Sequence, residues 1–280
     1  MRLSIKTRQQ HATFDEIAAM WARADELPLV DAAWLFDHFY PIFSDPSGSC
    51  LEGFTTLSAL AARTQRIRIG MMVTGNTHRH PAILAKMIAT IDQISGGRLE
   101  VGIGTGWSEI EHAAYGIDLP PLKERFDRLE EAFAVVTGLL TEPTFDFEGE
   151  HYRLVDARCE PKGVQQPHPP LVVGGRGERR TMSLAARYAS QWNYPSGPVE
   201  EFRARAETLR ARCEEYGRDP DSIEISGQVG TDEGVAQTAH AAAEYAAAGA
   251  QHVLLNLDPP YDPDTLEELV GAVAEAVGLG

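Results

Sequence analysis

Cysteine is scarce in this chain. Cys50, Cys159 and Cys213 are odd in number and far apart, which excludes a disulfide framework and the paired spacing of a structural zinc site. Basic residues are also few: 25 Lys and Arg face 41 Asp and Glu, a formal net charge of −16. A surface of that sign repels phosphate backbones and anionic lipid, so neither nucleic acid nor a membrane is an expected partner. No run of about 18 apolar residues is present that would span a bilayer. The N-terminal MRLSIKTRQQHATFDE turns polar before a secretory apolar core is built, and a cytoplasmic location is expected. Internal repeats and linker-like segments are absent too, so residues 1–280 are read as one domain.

What is present is ordinary globular composition, 43% hydrophobic and 24% charged, arranged as an alternation. Apolar, β-branched runs at Leu3–Thr7, Ala33–Phe36, Ile67–Val73, Leu99–Ile103, Pro170–Val173, Gln191–Tyr194, Ile223–Gln228 and His252–Leu257 read as strands. They lack a clean polar alternation, as a parallel sheet covered on both faces requires. Helical patterns lie between them. Pro81 opens Ala82–Ile94 and Gly96-Gly97 closes it. Leu122–Leu140 sets Phe126, Leu129, Phe133, Val136 and Leu140 on one stripe. Arg180–Tyr188, Val199–Tyr216, Val235–Ala248 and Pro263–Val277 continue the series. Eight strands, with no glycine-rich dinucleotide fingerprint after Thr7, predict an α/β fold of the (β/α)8 TIM-barrel type. The spacing breaks once, between strands four and five. An insertion over about residues 108–168 carries the long helix and a hairpin-like segment at Phe145–Cys159, and it is expected to roof the barrel mouth.

Chemistry in such a barrel sits at the C-terminal strand ends. Strand two ends in Asp37-His38, a pair suited to acid–base work, although neighbours in an extended chain point opposite ways and serve separate tasks. Two glycine clusters follow strands four and five. GGRGER at 174–179 leads straight into a helix, where free amides meet an anion such as phosphate; a plain turn is the alternative. In GIGTGW at 102–107, the glycines expose backbone to a planar ring or make room for neighbouring side chains. His78-Arg79-His80 has no partner residues completing a metal site, so it reads as a positive loop rimming an anionic ligand, with no metal expected. Trp34, Phe36, Phe39 and Tyr40 cluster near strand two, mostly as core.

Three segments together carry a family resemblance: WLFDHF at 34–39, IRIGMMVTGNTHRHPAILAKMIATIDQISGGRLEVGIGTGW at 67–107, and PPLVVGGRGERRTMSLAARYASQWN at 169–193. They resemble the luciferase-like monooxygenase superfamily, in particular its deazaflavin-dependent oxidoreductases. The resemblance implies a luciferase-like barrel that binds coenzyme F420, or alternatively FMN. It places Asp37 at the ring region and His38 near the reacting carbon as acid–base group. Thr74 and Asn76 would stand at the ring edge, and Gly104, Thr105, Gly106 and Trp107 beside the ring and its chain. Gly174, Gly175 and Arg176 would hold the phosphate. It also implies a non-prolyl cis peptide backing the ring, aligned at Met71–Met72 to within a residue.

The chain departs from relatives that oxidise a sugar phosphate. Ile42 stands where they place Trp, Trp107 where they place Glu, and the basic residues near the mouth are His78, Arg79, Arg176, Arg179 and Arg180. A less polar small-molecule substrate is expected. The chemistry implied is hydride transfer with His38 moving the accompanying proton. The alternatives are an FMN-dependent monooxygenase, a non-catalytic cofactor-binding barrel and, more remotely, a metal-dependent hydrolase. Ile83, Leu84, Met87, Ile88, Ile91 and Ile94 form an apolar face broader than one barrel contact needs, so a homodimer is expected unless the insertion covers it.

Overall fold

The computed structural model describes residues 1–279. Eight parallel strands close into a barrel: β1 (Arg2–Thr7), β2 (Ala32–Leu35), β3 (Arg68–Gly75), β4 (Leu99–Gly104), β7 (Leu171–Gly174), β8 (Gln191–Tyr194), β9 (Glu224–Gly230) and β10 (His252–Leu257), with β10 pairing back onto β1. The TIM-barrel expectation holds, and strand boundaries fall within one or two residues of those read from the chain. Around the barrel run α1 (Phe14–Glu26), α2 (Gly53–Arg63), α3 (Pro81–Ser95), α4 (Glu109–Tyr115), α5 (Leu122–Thr141), α6 (Arg180–Tyr188), α7 (Val199–Glu215), α8 (Val235–Ala247) and α9 (Leu266–Ala276). The expected helix at Pro263–Val277 begins instead with a 3-10 turn over Pro263–Thr265, capped by the Asp262 side chain. Among the described residues no helix is long and apolar enough to cross a membrane.

Strand side chains alternate between two separate cores. Leu3, Ile5, Leu35, Ile69, Val101, Val173 and Leu255 join the large cluster beneath the helices. Ala32, Trp34, Met72, Val172 and Leu254 meet inside the barrel. Above this inner plug the barrel opens towards the C-terminal strand ends. Below it the strand starts are sealed by charge: Arg2 reaches Glu100 and Glu224, each at 2.9 Å, and Arg68 also pairs with Glu100. Here Ser4 Oγ lies 2.6 Å from His252 Nε2, and His252 Nδ1 lies 3.2 Å from Glu224. The order imitates a nucleophile with its base and acid. Ser4 and His252 have no exposed surface, so this group closes the floor and meets no substrate.

The insertion holds α4, α5 and the antiparallel hairpin β5 (Phe145–Glu148) with β6 (Arg153–Ala157), as FDFEGEHYRL predicts. Of the insertion, Ser108 and α4 stand at the mouth, where Glu111 meets His38, while no hairpin residue lines the cavity. Glu131 of α5 accepts hydrogen bonds from the amides of Glu150, His151 and Tyr152, which ties the hairpin to the barrel's flank. Residues 160–165 lie along α3, where Lys86 and Gln93 donate to the carbonyls of Glu160 and Lys162. Leu84, Ile88 and Ile91 of α3 are buried, while Ile83 and Ile94 stay exposed beside that cover.

Candidate active site

One cavity of about 790 Å³ occupies the C-terminal mouth, within the range of small-molecule and cofactor sites. Asp37, His38, Met72, Thr74, Gly104, Thr105, Gly106, Trp107, Gly174, Gly175 and Arg176 all line it. Asn76 does not. Its amide donates to the Gly104 carbonyl at 2.8 Å and its Nδ2 to the Tyr152 hydroxyl at 3.2 Å, so it braces the end of β3 against the insertion hairpin.

Asp37 and His38 point apart, as the extended backbone requires, and each has its own partner. Asp37 is buried and accepts hydrogen bonds from Thr74 Oγ1 at 2.5 Å and from Arg79, whose two terminal nitrogens meet its two oxygens at 2.5 and 3.2 Å. His78 Nδ1 stands 3.4 Å away. Burial works to raise the Asp37 pKa; hydrogen bonds from His78 and Arg79 and the Arg79 charge outweigh it and hold the carboxyl far below its ordinary range. The positive loop expected to rim an anionic ligand is thus used internally. Arg79 neutralises Asp37, and the His80 ring caps α3 by accepting from the Ala82 amide. Arg180 turns away as well, to Asp127 at 2.5 Å.

His38 Nδ1 lies 2.6 Å from Glu111 Oε1, and Glu111 Oε2 accepts from the Phe39 amide, also at 2.6 Å. Glu111 comes from α4 and is buried. Burial acts to raise its pKa, yet the hydrogen bond and charge of His38, with the Phe39 amide, keep the carboxyl below the usual range. The rings of Phe36 and Trp107 stand edgewise to the imidazole at 5.2 and 5.3 Å. With Nδ1–H donating to Glu111, Nε2 is the ring nitrogen left for the cavity. At the mouth Phe43 (83% exposed) stacks on Trp107 (52% exposed) at 5.8 Å, a wide apolar rim that Ile42 extends.

The glycine clusters serve packing first. The β3–β4 ladder steps from Met71–Val101 to Thr74–Ile103, so β3 carries one residue more than β4 and bulges at Met72 and Val73. The cis peptide lies there, between Met72 and Val73, one residue beyond the aligned position and within the residue of latitude given to it. The bulge sets the Val73 side chain over Gly102, Gly104 and Gly174. A Cβ on these glycines would fall 2.5, 2.9 and 3.0 Å from Val73 methyls. Gly104→Ala is therefore expected to cost about 1–3 kcal/mol through overpacking. In a Val73→Ala background the same change should cost less than about 1 kcal/mol, a coupling that urea unfolding of the double-mutant cycle measures.

After β7, the amides of Arg176 and Gly177 donate to no group among the described residues, while the Gly175 amide is used by the Asn193 carbonyl. Two unpaired donors beside the cavity fit an anionic tail. Arg176 itself pairs with Glu201 at 3.3 Å. Lys6, Arg8 and Gln228 complete the opposite wall; as ordinary polar residues at strand ends, they carry no motif that would single them out.

With this geometry, residues 1–278 match the family described as luciferase-like monooxygenase. Among curated relatives, an F420-dependent glucose-6-phosphate dehydrogenase of Amycolatopsis mediterranei is 36% identical over 154 residues, 55% of this chain and 45% of the relative. An FMNH(2)-dependent dimethylsulfone monooxygenase of Pseudomonas putida is 34% identical over 167 residues, 59% of this chain and 45% of the relative. The matched stretches thus span about half the length of these relatives. Among solved structures, an F420-dependent secondary alcohol dehydrogenase in complex with an F420-acetone adduct superposes with a TM-score of 0.86 at 19% identity, covering 97% of this chain and 98% of that one. The monooxygenase RslO1 from Streptomyces bottropensis gives 0.79 at 21% identity, covering 100% and 99%.

Proposed function

Because the chain belongs to the luciferase-like monooxygenase family over residues 1–278, we propose that it is an oxidoreductase transferring hydride between coenzyme F420 and a small organic substrate. The observation that carries this reading is that one cavity joins a carboxylate-fixed imidazole, His38 on Glu111, to the glycine-cradled bulge at Val73 and the unpaired amides after β7. These residues fit a planar ring with a phosphate-bearing chain. The free amides of Arg176 and Gly177 would hold the phosphate, with Gly174 and Gly175 beside them, and Met72, Val73, Gly104 and Gly106 would flank the ring. When bound, a deazaflavin supplies a ring carbon that donates or accepts hydride.

The chain's own part is positioning and proton movement. His38 Nε2 takes the hydroxyl proton from an alcohol undergoing oxidation, or returns one to a carbonyl being reduced, while Glu111 holds Nδ1 and keeps the ring from turning. Ile42, Phe43 and Trp107 shield the mouth from water and favour an apolar substrate body over a sugar phosphate. The relative named as FMNH(2)-dependent supports a second reading, an FMN monooxygenase. The exposed Ile83 and Ile94 support self-association through α3.

Titrating the purified protein with F420 and with FMN, followed by absorbance and fluorescence, tests the cofactor. F420 is expected to bind about tenfold tighter or better. The reverse order moves the reading to FMN, and binding of neither overturns both. With the preferred cofactor, His38→Gln should leave its affinity within about threefold while substrate turnover falls about 10²–10⁴-fold. A protein that only stores cofactor would show no difference between the two forms.

A further inference from the structure

The cavity wall formed by β1, β10, β9 and β8 is made of side chains that the reaction above leaves idle. Lys6 of β1, Asn193 of β8, Gln228 of β9 and Asn256 of β10 all line it, and Lys6 and Asn256 are ladder neighbours. Their hydrogen bonds run in one direction: Lys6 Nζ donates to Gln228 Oε1 at 3.0 Å, Gln228 Nε2 to Asn193 Oδ1 at 2.6 Å, and Asn193 Nδ2 to Ser226 Oγ at 2.9 Å. This relay holds the Gln228 carbonyl on the ammonium and occupies one of its three donors.

The charge is also unbalanced. Arg8 is tied to Asp258 at 2.8 Å and Arg176 to Glu201 at 3.3 Å, whereas Lys6 forms no ion pair among the described residues. Asp232, the other carboxylate on this side, stands exposed on the loop after β9. Burial pushes the Lys6 ammonium down to about 7, with Arg8 adding to the fall and Asp258 opposing it. A cation half-buried on the cavity wall without a counter-ion is poorly solvated, and a ligand that supplies the missing charge binds there preferentially.

We propose that Lys6, set by Gln228, is a specificity residue that receives a carboxylate of the substrate. The substrate class is then an organic acid with an apolar body: its acid end lies on the β1–β9 wall and its body beneath Ile42, Phe43 and Trp107. This rests on the hydride-transfer reading, and the binding experiment below separates the two.

Benzoate and benzamide are titrated calorimetrically into the protein with and without saturating F420. Wild type is expected to bind benzoate about tenfold tighter than benzamide. Lys6→Met should abolish that preference while leaving benzamide affinity and F420 affinity within about threefold. Gln228→Glu keeps Lys6 and brings a resident carboxylate onto it, and should abolish the preference too. Equal binding of the two probes by wild type, no benzoate binding at any attainable concentration, or a preference surviving both substitutions overturns the proposal. A Lys6→Met protein that loses F420 affinity while keeping the preference overturns it as well, because the charge then serves the cofactor. If neither F420 nor FMN binds but the benzoate preference stands, the redox reading fails and the acid subsite remains. If F420 binds and the preference is missing, the subsite alone fails.

Discussion

Replacing Arg79 with alanine is expected to lower the unfolding free energy by about 3–5 kcal/mol at neutral pH, measured by urea denaturation. Asp37 is buried, and Arg79 engages both its oxygens while also donating to Thr74 Oγ1 at 2.8 Å and stacking over the Phe54 ring at 4.6 Å. Removing the guanidinium strands a carboxylate on the cavity wall; the loss arises mainly from that uncompensated charge and less from the missing attraction. The pH dependence separates the two causes. In the wild type the Asp37 pKa is depressed, so its contribution is present above the unfolded carboxyl value and lost only as pH falls through the depressed folded value. In the variant the hydrogen bonds and charge of Arg79 are gone, so burial lifts the folded pKa against only the remaining His78 and Thr74 contacts, and acidification neutralises the group at a higher pH than in the wild type. The gap between variant and wild type should therefore narrow as pH is lowered from 7 towards 5. The double change of Asp37→Asn with Arg79→Met should cost less than Arg79→Ala alone. A gap that stays constant with pH would mean lost packing against Phe54 is the cause.

Glu111→Gln should reduce turnover about 10²–10⁴-fold with little loss of cofactor affinity. Both Glu111 oxygens accept, one from His38 Nδ1 and the other from the Phe39 amide. An amide offers one acceptor. If its oxygen stays with Phe39, its NH2 faces Nδ1, and the imidazole must carry its proton on Nε2, the nitrogen proposed to receive one. Nitrogen-15 shifts of His38 report this directly: Nδ1–H in the wild type and Nε2–H in the variant. An unchanged tautomer with full activity would remove Glu111 from the positioning role.

The difference between what was legible in the chain and what was not follows distance along it. The hairpin is readable because Gly149 separates two short alternating runs. The helix α3 announces itself through Pro81 and the glycine pair after Ser95, the first of which, Gly96, does take the left-handed cap conformation. The helix α1 carries the same kind of local signal, a capping box formed by Thr13 and Glu16 and an apolar stripe of Ile17, Met20, Trp21 and Ala24. Glu111 reaches His38 across 73 positions, and Arg79 reaches Asp37 across 42; no local pattern records such pairings. For that reason Arg79 looked free to meet a ligand, and Glu111 looked like one acidic residue among many. The glycines of GIGTGW had two readings, and Gly104 shows that they combine: it admits Val73, and through it the cavity gets its shape.

The ion-paired floor built from Arg2, Glu100, Arg68 and Glu224 closes the barrel at its strand starts, so its cavity is reached from the other end. The proposed cofactor and substrate would both enter from that side. Whichever settles deeper would then arrive first and depart last, an order set by architecture before any affinity is considered, and a surplus of the later guest would imprison the earlier one.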